Sequence, residues 1–125
     1  MIEIDNGWGL DVENGPEWLF VTLRCQKGHT WDSPPLADSI WEVVDNLSAH
    51  QLILELQDVE IVHSMLIGQI ILLHKRITSQ GGRMRLAGIS QQNQLALDVA
   101  NLSSRFPWYR SREDAVRGQA SKLHA

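Results

Sequence analysis

Few side chains in this chain combine into a recognisable reactive set, and the most suggestive of them sit together at His63 and Ser64. Ser64 lies just before a long amphipathic run. A hydroxyl there is either an ordinary helix cap, accepting from the free amides of the first turn, or an acceptor for phosphate, which those amides and the helix dipole would favour. His63 likewise has two readings. Its imidazole packs or caps within the turn, or, when protonated, pairs with a phosphate on Ser64; a protonated imidazole is a donor and cannot replace a carboxylate as acceptor.

Other chemistries find little support. His29, His50, His63, His74 and His124 show no metal-ligand spacing, and no metal or other cofactor is expected. Cys25, the single cysteine, excludes an internal disulfide and reads as a small apolar group at a strand end. There is no Gly-x-Ser-x-Gly elbow and no Walker loop. No acid, base and nucleophile converge in the sequence, so the chain is not read as an enzyme.

The elements that must position Ser64 form one stretch, Val59 to Arg85 (VEIVHSMLIGQIILLHKRITSQGGRMR). It reads as a strand end, a tight turn at His63-Ser64, a helix over Met65–Gln80, a Gly81-Gly82 stop and the start of a strand over Met84–Ala87. Leu66, Ile70, Leu73 and Ile77 form one stripe of the helix, widened by Ile67 and Ile71. A glycine pair stops a helix because it reaches the left-handed cap conformation at little cost.

Upstream, Asn6-Gly7 between Met1–Asp5 and Trp8–Val12 signals a hairpin, and Asn14-Gly15-Pro16 a second turn. Trp18–Arg24 (WLFVTLR) is a strand by its aromatic and β-branched content. Gln26–Pro35 is a loop; its Trp31 is either a lid on the core or a partner contact. Leu36, Ile40, Val43, Val44 and Leu47 place a helix over Pro35–Leu47. Gln51–Gln57 (QLILELQ) is a strand whose Glu55 must face solvent at an edge or find a partner. Downstream, Ser90 caps a helix carrying Leu95, Leu97, Val99, Ala100 and Leu102. Phe106–Tyr109 is extended, Ser111 caps a last helix with Glu113 and Asp114 in its first turn, and residues 118–125 form a frayed tail.

Strands alternating with helices give an α/β fold, a single domain over residues 1–125 with a central mixed sheet. The 125 residues, 43% hydrophobic and 21% charged, place the chain among ordinary soluble domains. Its longest apolar run, Ile70–Leu73, is too short to span a bilayer. Glu3 and Asp5 stand where an export signal carries positive charge, so cytoplasmic residence is the expectation. The net charge of -4 argues against direct nucleic-acid binding. Of 11 basic residues only Arg24 and Lys27 precede Lys75, and most of the acids precede His63. Either the two halves complement each other on folding, or Arg83, Arg110, Arg112 and Arg117 form a basic face for an acidic partner.

From Leu52 to Val116 the words of the chain resemble the STAS domain, the fold of bacterial anti-sigma factor antagonists. ILELQDVEIVHSMLIG covers the family's strand and turn, LHKRITSQGGRMRLAGIS its helix, glycine pair and strand, and LALDVANLSSRFPWYRSREDAV its closing Phe-x-x-Tyr-x-Ser-x-x-x-Ala cadence. The family's turn reads Asp-Ser-Ser/Thr-Gly-Leu-Gly. Here His63 stands in place of the aspartate, Ser64 matches the first hydroxyl, Met65 replaces the second, Leu66 replaces a glycine, and Gly68 is retained. Glu55 stands where the family usually has Asp.

The resemblance implies a STAS-type single domain acting as a switch rather than an enzyme. The unphosphorylated form would bind an anti-sigma factor, often a serine kinase; phosphorylation on the turn would break the complex and a phosphatase would restore it. On this pattern Ser64 is the candidate phosphoacceptor, and His63, Met65, Leu66 and Glu60 are the candidate switch-loop and partner-binding residues. The alternative is a non-switching STAS subunit or scaffold docked on a transport ATPase or a stress-signalling complex. The sequence leaves the oligomeric state open.

Overall fold

The computed structural model describes residues 2–4, 7–25, 35–99 and 108–118. In chain order the elements are β1 (Ile2–Glu3), β2 (Trp8–Asn14), β3 (Leu19–Cys25), α1 (Leu36–Asn46), β4 (Gln51–Glu55), α2 (Ser64–Ser79), β5 (Arg83–Ala87), α3 (Gln91–Val99) and α4 (Arg112–Arg117). The five strands form one sheet in the order β1-β2-β3-β4-β5. The first two pairings are antiparallel hairpins; β3–β4 and β4–β5 are parallel, joined by α1 and α2. The chain is therefore an α/β domain with a mixed sheet.

Both expected hairpins are present, β1 pairing with β2 and β2 with β3. Gly7, at φ 77°, lies between β1 and β2. In the second hairpin the Gly15 amide donates to the Trp18 carbonyl at 3.0 Å. Asp5, Asn6, the loop segment 26–34 with Trp31, residues 100–107 with the start of the extended Phe106 segment, and the tail from 119 lie outside the described residues.

Strand alternation divides the core into two faces. On one, Leu10, Val21, Leu23, Leu52, Leu54, Met84 and Leu86 pack with Leu36, Ile40 and Val44 of α1, with Leu66, Ile70, Leu73 and Ile77 of α2, and with Leu97 of α3. On the other, Trp18, Phe20, Ile53 and Ala87 meet Tyr109 and Ala115 beneath α4. The sheet extends past β5: Trp108 bridges Leu86 in parallel, and the Tyr109 amide donates to the Leu86 carbonyl at 2.8 Å.

The Gly81-Gly82 stop has a definite geometry. Gly81 takes φ 79° and donates to the Thr78 carbonyl at 3.0 Å, while Gly82 donates to the Ile77 carbonyl at 2.9 Å. This double bond pattern is the Schellman motif. Gly82 has a second constraint, because a Cβ there would lie 2.5 Å from the His50 carbonyl oxygen.

Glu55 does not lie at an edge. It sits in β4, flanked on both sides by strands, and is only 3% exposed. Its carboxylate accepts from Thr22 Oγ1 at 3.0 Å and from both arms of the Arg112 guanidinium, Nε at 3.0 Å and Nη2 at 2.5 Å. Arg112 also donates through Nη1 to Glu13 at 2.8 Å and stacks 4.2 Å above the Phe20 ring. The hydrogen bonds to Glu55 raise the guanidinium pKa against the desolvation that opposes it. For Arg112 the charge asymmetry of the sequence thus resolves as complementation within the fold, not as a free basic face.

Replacing Arg112 with Met should cost about 2–4 kcal/mol in chemical denaturation, since it leaves a buried carboxylate without its cation, with some relief because Arg112 itself is partly exposed. Adding Glu55→Gln to that variant should recover part of the loss. Simple additivity of the two substitutions would show that the pair is not coupled.

A weaker pH effect belongs to α2. Partial burial lowers the His74 pKa below the ordinary 6.5. The folded state then binds fewer protons than the unfolded state, so stability is full above about pH 6.5 and declines as pH falls through the folded value. A His74→Gln variant should lose that part of the acid-side slope when the denaturation midpoint is followed from pH 7.5 to 5.

Candidate functional site

The turn at His63-Ser64 is reached from the centre of the sheet. After β4, the Leu56 amide donates to the Ala87 carbonyl at 2.9 Å, and the Val59 amide closes a turn on the Leu56 carbonyl at 3.0 Å. Val59 and Val62 are buried, Glu60 is exposed, and Ile61 is half-buried. The segment is thus stapled down by two valines while Glu60 stays at the surface.

His63 is the N-cap of α2, in extended backbone at φ -95°, ψ 176°. Ser64 is the first helical residue, so the capping role expected of it falls to its neighbour. The His63 carbonyl accepts from the Ile67 amide at 3.0 Å, and its side chain makes no capping hydrogen bond to this end. The first turn also carries no acid. The positive end of the α2 dipole therefore meets Ser64 with no carboxylate of its own helix to offset it.

The five residues named from sequence separate in the fold. Ser64 is exposed, His63 half-buried, and Glu60 exposed. Met65 is 58% exposed. Leu66 is different: at 0% exposure it belongs to the core between α2 and the sheet, so its side chain offers no surface to a partner. The helical period explains this, because Leu66 opens the buried stripe continued by Ile70, Leu73 and Ile77.

On the outer side of α2, Met65 and Leu72, the latter 55% exposed, bracket Gly68 at i, i+3 and i+7. Among the described residues a Cβ on Gly68 would meet nothing within 4 Å, so packing against them does not require glycine there. Beside Leu72 a shallow cavity of ≈ 210 Å³ lies between α1 and α2, lined by Pro35, Ala37, Asp38, Gln69, Leu72 and Arg76. Arg76 stacks 4.6 Å above Trp41 and reaches Asp38 at 3.5 Å. The Gln69 side chain accepts from the Ala37 amide at 2.9 Å, tying the start of α1 to α2.

Sequence reasoning missed Asn93. It lies in the first turn of α3, where Ser90 Oγ accepts from its amide at 3.1 Å, the cap expected of Ser90. Its carboxamide is buried and bonds the backbone before the turn: Oδ1 accepts from the Val62 amide at 2.9 Å, and Nδ2 donates to the Val59 carbonyl at 3.2 Å. Asn93 and Leu97 form the buried face of α3, while Leu95 and Val99 are exposed. An asparagine four residues before a leucine was the available signal.

An open cleft of ≈ 680 Å³ lies where β3 ends, lined by Glu3, Trp8, Asp11, Arg24, Cys25 and Asp58 among others. Its central charges are mutually paired, Arg24 to Asp11 at 2.5 Å and to Asp58 at 2.6 Å. Cys25 is half-buried rather than fully buried. Among the described residues no group of three His, Cys, Asp or Glu side chains could hold a metal ion, and no helix is long and apolar enough to cross a membrane.

The arrangement of a buried strand, a turn with a hydroxyl at a helix start, and a glycine-stopped helix returning to the next parallel strand has a counterpart in known proteins. The STAS domain family model matches residues 30–115. The chain belongs to the STAS domain family. The match begins well before Leu52 and so takes in α1 as well. Among solved structures, an anti-sigma factor antagonist from Mycobacterium paratuberculosis superposes with TM-score 0.73 at 19% identity, covering 93% of this chain and 97% of that one. A STAS domain protein from Planctomyces limnophilus, described as an anti-sigma-factor antagonist domain, gives TM-score 0.60 at 19% identity, covering 90% and 98%. A chain of the stressosome, a signal integration and transduction hub, gives 0.70 at 13%, covering 86% and 93%. At these identities the likeness is one of fold. No curated protein sequence matches the chain.

In this STAS domain the lack of a capping bond from the His63 side chain makes a direct prediction. His63→Asp should stabilise the protein by about 0.5–1 kcal/mol, because the N-cap backbone is already extended and a carboxylate would accept a first-turn amide and offset the helix dipole. Chemical denaturation checks the gain.

Proposed function

We propose that this STAS domain is a non-enzymatic, cytoplasmic regulatory module of the anti-sigma factor antagonist type, binding an anti-sigma factor or serine kinase through the Ser64 end of α2. The observation that carries the reading is the placement of Ser64. It is exposed at the first position of a helix whose outer side continues into exposed Met65 and Leu72. Glu60, His63 and Met65 rim that surface; Leu66 supports it from beneath.

On this reading the apolar patch is buried by the partner while Ser64 is unmodified. A phosphate on Ser64 adds about -1.5 to -2 charges within that interface. The phosphate is tolerated by the free protein, where first-turn amides and the dipole favour it, and is costly to desolvate against an apolar partner surface. The complex therefore dissociates, and a phosphatase reverses the switch. His63 in place of a carboxylate places a potential cation beside the phosphate, altering what a kinase must recognise.

A second reading is a STAS subunit that binds without switching, as a scaffold in a stress-signalling complex or docked on a transport ATPase. The likeness to a stressosome chain and the apolar Met65 beside the single hydroxyl favour the scaffold form of it.

Incubation with the serine kinase encoded nearest to it and ATP, followed by mapping of phosphosites by mass spectrometry, should place phosphate on Ser64 and none on a Ser64→Ala variant. Ser64→Glu should weaken binding to the same partner at least several-fold. Intact binding with no phosphate on Ser64 selects the non-switching reading.

A further inference from the structure

We infer that Asn93 is the positioning residue of the Ser64 turn, a role that rests on the reading of that turn as the contact site. The segment from Val59 to Val62 runs from the end of the sheet to the N-cap of α2. One side chain holds both ends of it. The bonds have opposite polarity, since Val62 presents an N–H and Val59 a carbonyl. A planar carboxamide supplies an acceptor and a donor on one fork, and its orientation is fixed by these two partners.

The placement is unusual enough to need such a cause. Asn93 is 2% exposed and shares the buried face of α3 with Leu97, a site where an apolar residue would satisfy the helix pattern. A buried carboxamide loses its hydration and is a weaker helix former than leucine. The two bonds to the turn offset that loss, and Ser90 locks the base of the side chain through the Asn93 amide. Asn93 touches neither His63 nor Ser64 in these bonds. It acts through the backbone of Val59 and Val62, so that the N-cap is delivered to α2 in a single conformation.

The test is site-resolved amide exchange by NMR on the full chain, comparing wild type with Asn93→Leu and Asn93→Asp and taking the ratio to wild type at each pH. Leucine fills the volume and preserves the apolar pattern. It should speed exchange at Val62, whose amide loses its acceptor, and at Val59 by about tenfold or more, with the amides of Leu54 and Leu73 unchanged. The aspartate variant supplies a rescue. Ionised, it is acceptor-only and repels the Val59 carbonyl; protonated, it restores both a donor and an acceptor. Its turn should therefore exchange fast at neutral pH and approach wild type as the pH is lowered.

Uniform acceleration throughout the chain, or no acceleration at residues 59–64, would overturn the assignment, as would an aspartate variant with no recovery in acid. Phosphorylation by the kinase named above separates this from the site reading. If that kinase modifies wild-type Ser64, equal rates on wild type and Asn93→Leu count against a positioning role. If wild-type Ser64 stays unmodified and the partner does not bind, the site reading fails while fast exchange confined to 59–64 still establishes the clamp.

Discussion

The ion pair between Glu55 and Arg112 is the constraint on which the second face of this protein depends. A carboxylate in the interior of a sheet is tolerated only if a cation and further donors meet it there. Arg112 opens α4, and its guanidinium reaches three strands at once: Glu13 in β2, the Phe20 ring in β3 and Glu55 in β4. Thr22 supplies the remaining donor. At the other end of α4, Arg85 of β5 donates to the Ala115 carbonyl at 2.7 Å and stacks 4.5 Å over Trp18. A six-residue helix would be marginal alone. Here it is fixed at its start by one arginine of its own and at its end by one from the sheet.

A cation at the first position of a helix opposes the macrodipole. The local sequence compensates. Ser111 caps the helix, accepting from the Asp114 amide at 3.1 Å, and Glu113 and Asp114 stand in the first turn. With the second face closed in this way, β4 is held rigidly between two neighbours. Its exit, through Leu56 to Val62, starts from a fixed point. The turn at Ser64 inherits its position from that strand on one side and from the buried stripe of α2 on the other.

Much of this was legible in the sequence. The hairpins, the strands WLFVTLR and QLILELQ (the latter ending two residues earlier, at Glu55), a mixed sheet and the glycine stop are local patterns, set by side-chain periodicity and by the conformations that Gly and Pro allow. Ser90 and Ser111 cap as their positions suggest, because a cap depends on a few consecutive residues. Ser64 was placed one residue off: the hydroxyl stands inside the helix and His63 outside it. Which residue becomes the N-cap depends on how the preceding segment enters, and that entry is fixed by Val59, Val62 and Asn93.

The sequence by itself determined the alternation of strands and helices, the family, and a lone hydroxyl before an amphipathic helix, since each is written in neighbouring residues. Tertiary structure alone decided two things. It gave Glu55 its partner 57 positions away in Arg112. It brought Asn93 from a later helix to hold the backbone before Ser64. Each of these rests on contacts between residues far apart in the chain, and no local pattern encodes which of several arginines, or which polar residue on a helix face, the closed sheet will bring within bonding distance.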